Sequence, residues 1–377
     1  MRRATLILWV ALASVACIEV GARAMLWRPI DGLKPRVDYM FYPGGAGDLA
    51  PNQDGPWLVW PQYPFHVQTN GQGLRNAEDL DEAAFRILAV GDSFTFGPYV
   101  SNQDTWPGWL ESLLRADSSL PVPVQVLNAG VSGYTITDEA AYLRSKGLKV
   151  RPNLVILGIF LNDISDLRLE QRRHFARQSA SEQSPTLWMV TRFLLRHSAF
   201  YDAMRTAVVR RRIEVEAANQ DQAAADHWRI TYGLPRDAES RRYWKAYGVH
   251  LRDVITLLNE AQVPLLLVLF PEFQQVLASG DPDTPQVDLK RIAHETHTPV
   301  VDLLPVFRRE LPEGLYLIRR ADHGGYNRDV TASGRGESWS GNGHLSRYGN
   351  YVAAQAIASH LHPLVREAIK SKGSAMR

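Results

Sequence analysis

Five short apolar runs mark the chain: Ile87–Val90, Val122–Leu127, Leu154–Phe160, Pro264–Phe270 and Pro299–Leu303. Most lack clean period-two alternation, which predicts strands covered on both faces, as in a parallel sheet. Helical patterns separate them. Thr105–Leu114 has Asp104 or Thr105 as its cap and Pro107 in the first turn. Thr135 and Asp138 have capping-box spacing ahead of Ala140–Lys146. Tyr247, Leu251, Val254, Ile255 and Leu258 share one helical face before the fourth run, and Tyr348, Val352, Ala356, Ile357 and Leu361 share another near the C-terminus. Strands alternating with helices predict a doubly wound α/β fold.

The gap between the third and fourth runs is too long for one crossover, so residues from about 165 to 240 form an insertion. Trp188, Met189, Phe193, Leu194, Phe200 and Met204 fall within a helical pattern there. Packing is the default reading of such a face; a lid over a site or a membrane-facing surface is the alternative. Residues 29–82 are rich in Pro, Gly, Trp and Asn, with turn chemistry at Pro43-Gly44-Gly45 and a short strand candidate at Trp57-Leu58-Val59-Trp60. They are read as a lead-in packed on a main domain spanning 83–371.

The N-terminus carries Arg2 and Arg3 and then a mostly apolar run, Ala4–Ile18, interrupted by Glu19. About 15 residues is short for a spanning helix, but the span extends if it runs on to Leu26 and Trp27. Residues 1–28 are therefore read first as an uncleaved signal anchor. A cleaved signal peptide ending at Ala22-Arg23-Ala24 is the second reading. A lipoprotein site at Cys17 is the third, with Ser14 where a large aliphatic residue is expected. Each places the bulk of the chain on the exported side of a membrane. Cys17 is the only cysteine, so no disulfide forms within the chain and no cysteine-based zinc site exists. Among 377 residues, 45% are apolar and the net charge is +2, with no basic stripe to suggest a nucleic-acid partner.

Chemistry collects at the carboxyl edge of a parallel sheet. Gly91-Asp92-Ser93 follows the first strand and Asn128-Ala129-Gly130-Val131-Ser132-Gly133 the second. Asn162-Asp163 follows the third, and Gly343-His344-Leu345 stands near the C-terminus. Acyl transfer by serine needs a nucleophile, a base and donors aimed at the developing oxyanion. Ser93 is the nucleophile candidate. Its own amide, the Gly133 amide and the Asn162 side chain are the donor candidates. His294 and His297 have i, i+3 spacing but no third ligand in sight, and are read as solvated.

These four blocks resemble the SGNH (GDSL-type) hydrolase family: Gly91-Asp92-Ser93-Phe94-Thr95-Phe96-Gly97, Asn128 to Thr135, Leu161-Asn162-Asp163 and Gly343-His344-Leu345-Ser346. The resemblance covers roughly residues 66 to 365. It implies a flavodoxin-like three-layer α/β/α sandwich with a parallel five-stranded sheet, plus the helical insertion and the N-terminal anchor helix. It implies esterase or O-acyltransferase activity without metal or cofactor. Ser93 becomes nucleophile, His344 base, and Gly133 and Asn162 oxyanion donors beside the Ser93 amide; Gly130 is the rival glycine. Asp92 and Asp163 are read as structural, capping loops or bonding nearby amides.

One departure stands out. The family's acid two or three residues before the histidine is replaced by Asn342 and Gly341. Asn342 could orient the imidazole through its oxygen but supplies no charge. Asp322 or Asp329 could serve instead, and His323 is the rival base. The expected function is a serine esterase removing acyl groups, O-acetyl foremost, from a glycan through an acyl-enzyme. O-acetyl transfer to a polysaccharide with the same residues is the alternative, and a catalytically weak glycan-binding or assembly protein the third. The partners implied are an acylated glycan and, through the N-terminal helix, a membrane.

Overall fold

The computed structural model describes residues 2–26, 49–57, 65–167, 220–277, 284–320 and 339–375, with scattered helical positions between 190 and 208. The five apolar runs become five parallel strands: β3 (Phe85–Gly91), β4 (Val124–Gly130), β5 (Leu154–Phe160), β6 (Leu265–Phe270) and β7 (Val300–Asp302). They lie in the order β4-β3-β5-β6-β7, the doubly wound arrangement in which the first sheet strand sits between the second and third. Every residue of β3 is buried, as expected of a strand with helices on both sides.

Alternate side chains feed two cores. Leu88, Val90, Val155 and Leu157 pack on one face, where Tyr247, Leu251, Val254, Ile255 and Leu258 of the helix Ala238–Glu260 cover them. Ile87, Ala89, Ile156 and Val268 pack on the other, against Trp106, Leu110 and Leu114 and the C-terminal helix Arg347–Ala375. Thr105, not Asp104, caps the helix Trp106–Arg115: its side chain accepts from the Gly108 amide, with Pro107 in the first turn. The Thr135–Asp138 capping box is present and starts its helix at Ile136.

Two expectations about apolar faces are corrected. Tyr348 does not share the buried face of the last helix; it is exposed, and its hydroxyl donates to Glu310 over 2.7 Å. Val352, Ala353, Ile357, Leu361 and Val365 fill the core instead. In the insertion, Phe193 (61% exposed), Phe200 and Met204 are exposed rather than packed, against the default reading of that face. Trp188 and Met189 lie outside the described residues.

Before the main sheet, β1 (Asp54–Trp57) and β2 (Phe65–Gln68) form an antiparallel hairpin. Phe65 packs edge-on against Phe96, and the buried Arg75 donates to the carbonyls of Phe96, Gly97 and Val100 while lying 4.4 Å from the Phe96 ring centre. Arg75 thus fastens the segment that follows Ser93.

The N-terminal helix Arg2–Leu26 contains one stretch, Thr5–Ala24, with mean hydropathy 2.0, long and apolar enough to cross a membrane. Its two charged residues near the end meet the insertion. Glu19 accepts from the Ala199 amide (2.8 Å), the Phe200 amide (3.2 Å) and the Ser198 hydroxyl (2.8 Å). Arg23 donates to Glu19 and to the His197 carbonyl. Glu19 therefore satisfies amides that a helix start leaves without intrahelical partners.

Candidate active site

At the carboxyl edge of the sheet, three glycines come into register. Gly91 pairs with Gly130 on one side and Gly158 on the other. The short helix Ser93–Phe96 lies on this floor. A Cβ on Gly91 would meet Thr95 Oγ1 at 2.2 Å, one on Gly158 would meet the same atom at 2.5 Å, and one on Gly130 would meet the Phe96 nitrogen at 2.2 Å. Only hydrogen fits at that spacing, so the glycines are what allow a helix to start directly over the strand ends. Asp92 caps it, accepting from the Phe94 amide at 2.8 Å.

The base arrives from elsewhere. β8 (Tyr316–Arg320) and β9 (Trp339–Leu345) form a separate antiparallel ribbon. Tyr316 pairs with Leu345 and Ile318 with Gly341, so β9 advances four residues while β8 advances two. His344 sits inside this bulge, next to Gly343 at φ +66. Bulges re-aim side chains next to functional sites. Here the result is that His344 Nε2 lies 2.8 Å from Ser93 Oγ, across 251 residues of chain. The imidazole is flanked by the Phe94 ring (centroids 5.5 Å apart) and the Tyr99 ring (6.0 Å). Phe94 in turn stacks on Phe160 at 3.6 Å.

Of the other sequence-derived residues, Gly133 follows β4 with φ +80, and a Cβ there would meet nothing within 4 Å. Its rival Gly130 is enclosed, and its amide already donates to Asn128 Oδ1 at 3.0 Å. Asn162 opens the helix Asn162–Asp166 after β5, half-buried, with Nδ2 3.4 Å from Asp166 Oδ2. Asp322, His323 and Asp329, together with the side chain of Asn342, lie outside the described residues. His294 and His297 are both exposed.

Two features were not anticipated. Asp92 is fully buried and its carboxyl is pushed up to about 7, mainly by burial, against the opposing Phe94 and Ser93 hydrogen bonds and with a further push from Asp166. Glu139, on the helix Ile136–Ser145, is also fully buried. Neither of its oxygens has a hydrogen-bond partner among the described residues, and burial first, then Asp92 and Asp138, hold it well above the usual carboxylate range. The second feature is His227, on the helix Gln220–Thr231. It bridges Glu272 after β6 (Nε2 to Oε1, 2.6 Å) and Ser165 after β5 (Nδ1 to Oγ, 2.8 Å). Pro271-Glu272 follows an apolar run, so an acid at that edge was visible in the sequence. Its histidine partner, inside the insertion, carried no signal.

The arrangement can take a proton from a serine hydroxyl that opens onto a half-buried edge lined by backbone amides. Residues 89–352 match the model of the GDSL-like Lipase/Acylhydrolase family. No curated protein matches the chain in sequence. Among solved structures, the chain is similar to a protein of the G-D-S-L family from Desulfitobacterium hafniense described as lipolytic (14% identity, TM-score 0.36, covering 73% of this chain and 98% of that one). It is also similar to Axe2, an acetylxylan esterase from Geobacillus stearothermophilus (16%, 0.40, 75% and 97%), and to LAE5, an alpha/beta hydrolase from the metagenome of Lake Arreo (14%, 0.39, 74% and 94%). Likenesses this distant say nothing of substrate. The family match spans most of the chain, and all four motif blocks fall within it: the chain belongs to the GDSL-like lipase/acylhydrolase family and is a serine ester hydrolase.

Proposed function

We propose that the chain removes short acyl groups, O-acetyl foremost, from a glycan, with Ser93 as nucleophile and His344 as general base. The observation that carries this is the 2.8 Å contact between Ser93 Oγ and His344 Nε2 at the sheet edge. Ser93 Oγ attacks the ester carbonyl as its proton passes to His344 Nε2. The oxyanion is met by the amides of Ser93 and Gly133 and by Asn162 Nδ2. The sugar hydroxyl leaves with the proton from His344, and water repeats the cycle to release the acid. The packed wall of Phe94 and Phe160 beside Ser93 supports a short acyl group, and the half-buried Tyr99 offers an aromatic face for a sugar ring.

In this reading the N-terminal helix stays attached as a membrane anchor, holding the enzyme on the exported side. Its support is the clamp of Glu19 and Arg23 on residues 197–200. The Ala22-Arg23-Ala24 segment is helical and its arginine is engaged, whereas proteolysis takes hold of exposed, unstructured chain.

The test is intact mass of the full chain in detergent after treatment with a serine-directed fluorophosphonate, beside Ser93→Ala and His344→Ala. One adduct, absent from both variants, is the expected result. An unlabelled folded wild type, or an adduct that survives in Ser93→Ala, sinks the assignment. Release of acetate from an O-acetylated oligosaccharide, and its absence from an unacetylated control, then tests the substrate.

A further inference from the structure

His227 connects three elements by side-chain hydrogen bonds: the helix Gln220–Thr231 of the insertion, the loop after β6 and the helix Asn162–Asp166. The hydrogen-bond accounting at its ring is constrained. Ser165 Oγ donates to the Asn162 carbonyl over 3.0 Å, in addition to that carbonyl's place in the helix Asn162–Asp166. The hydroxyl has a single proton, so toward His227 Nδ1 at 2.8 Å it must accept. Glu272 Oε1, 2.6 Å from Nε2, belongs to a carboxylate and also accepts. Thr231 Oγ1, 3.4 Å from Nδ1, is a longer contact at the same nitrogen and can accept as well. Both ring nitrogens then donate, and a ring that donates twice is an imidazolium.

The surroundings agree with a charged ring. The His227 and Glu272 side chains are only 19% and 9% exposed. Burial is the largest influence and opposes the cation, but the Glu272 hydrogen bond and charge, with Asp166 behind them, leave the imidazole above its ordinary value. The titratable groups facing the pair are Asp166 from the helix Asn162–Asp166, Tyr232 just past the His227 helix, and Tyr316 of β8 against Glu272. Glu272 itself is held by its amide, which donates to Gln275 Oε1 at 3.0 Å.

We propose that His227 is a positioning residue for the oxyanion site. As an imidazolium clamped by Glu272, it turns Ser165 so that the serine closes onto the Asn162 carbonyl and fixes the turn that presents the Asn162 amide. This rests on the reading of Asn162 as an oxyanion donor. Loss of the His227 proton leaves one ring nitrogen as an acceptor. The Ser165 hydroxyl can then swing to Nδ1, and the Asn162 carbonyl loses the serine's hydrogen bond. His344 must be neutral to act as base, so activity rises with pH through its titration. His227 must be charged, so activity falls as its imidazolium, held above the ordinary value by Glu272, gives up its proton. The profile of kcat is a bell whose alkaline limb belongs to a residue that never touches substrate.

The experiment uses the full chain in detergent with p-nitrophenyl acetate between pH 5.5 and 9.5, on wild type, His227→Gln, Glu272→Gln and Ser165→Ala. His227→Gln is expected to lower kcat about tenfold with KM within about twofold, and to lose the alkaline limb. Glu272→Gln keeps a hydrogen bond but removes the charge, so its alkaline limb moves to lower pH; a purely structural role would not move it. Ser165→Ala lowers kcat and loses the limb as well. Wild-type-like limbs in His227→Gln and Glu272→Gln, or an effect on KM alone, overturn the proposal. NMR of 13C-labelled histidine in the Ser93→Ala protein gives a second readout that needs no turnover. His227 should titrate above about 6.5, and a value at or below that overturns it. If the wild type neither turns over the ester nor takes a fluorophosphonate, it is the assignment of the active site that has failed. If it does both and His227 is silent, only the positioning role has failed.

Discussion

Gly130 and Phe96 approach so closely that a Cβ on the glycine would lie 2.2 Å from the Phe96 amide nitrogen, whereas a Cβ on Gly133, three residues later, would touch nothing. The two glycines in one motif thus do different jobs. Gly130→Ala should destabilise the fold by about 3 kcal/mol or more, because backbone must shift to admit the methyl. Gly133→Ala should cost about 1–2 kcal/mol for its left-handed backbone. Its main effect should be on kcat, since the methyl stands where the oxyanion is proposed to sit. Thermal melts and ester kinetics on the pair check this; equal losses of stability would contradict it.

The Asn162 side chain makes one long hydrogen bond, from Nδ2 to Asp166 over 3.4 Å. Asn162→Ala should therefore leave the melting temperature nearly unchanged while lowering kcat about 10²- to 10³-fold, the usual cost of one oxyanion donor. A variant that keeps most of its kcat would remove Asn162 from the oxyanion site.

The missing acid before His344 offers a gain of function. Asn342→Asp restores the family's residue type at that position and should raise kcat, by about tenfold or more if charge support for the imidazolium limits the acylation step. An unchanged or lower kcat in a folded variant would mean that charge at position 342 does not limit acylation.

Asp92 and Glu139 make stability depend on pH in an unusual direction. The folded Asp92 carboxyl titrates at about 7 against an ordinary 3.8, so between those values the native state keeps a proton that the unfolded chain has lost. Stability then falls as pH rises through that window and is level below it. Glu139, also raised, acts in the same sense. Asp92→Asn, which can still cap the Phe94 amide, and Glu139→Gln should each flatten the decline in melting temperature between pH 4.5 and 7.5. The Asp92 difference should be on the order of 2–4 kcal/mol. Parallel curves for wild type and variants would show that neither carboxyl is protonated in the native state.

Much of this architecture could be read from the residues. The sheet was legible because strands buried on both faces are continuous apolar runs. Ser93, Gly133 and Asn162 were legible as candidates because each follows a strand or opens a helix, and His344 because it stands in a recognisable block; that it lies within a strand, in a bulge, was not. Edges were less so. β4 begins at Val124 rather than Val122, after the prolines at 121 and 123, and β7 keeps only three residues. The His227–Glu272 and His227–Ser165 contacts join positions 45 and 62 residues apart through an insertion whose path no periodicity encodes. Glu139 stands in the first turn of its helix, where an acid carries no special signal; its burial follows from which helix face meets the sheet, a tertiary fact.

The ribbon that carries His344 is fixed at its root and reaches outward from there. Beside the histidine, Leu345 pairs with Tyr316, whose hydroxyl donates to the Pro271 carbonyl, and the Ser346 amide donates to the Leu315 carbonyl. The far end, where Arg320 pairs with Trp339, lies beyond the bulge. The bulge breaks the ladder between tip and root, so a change of register or length at the tip is absorbed before it reaches the imidazole. The proton-transfer geometry at the root is thereby insulated from sequence change where Arg320 and Trp339 pair.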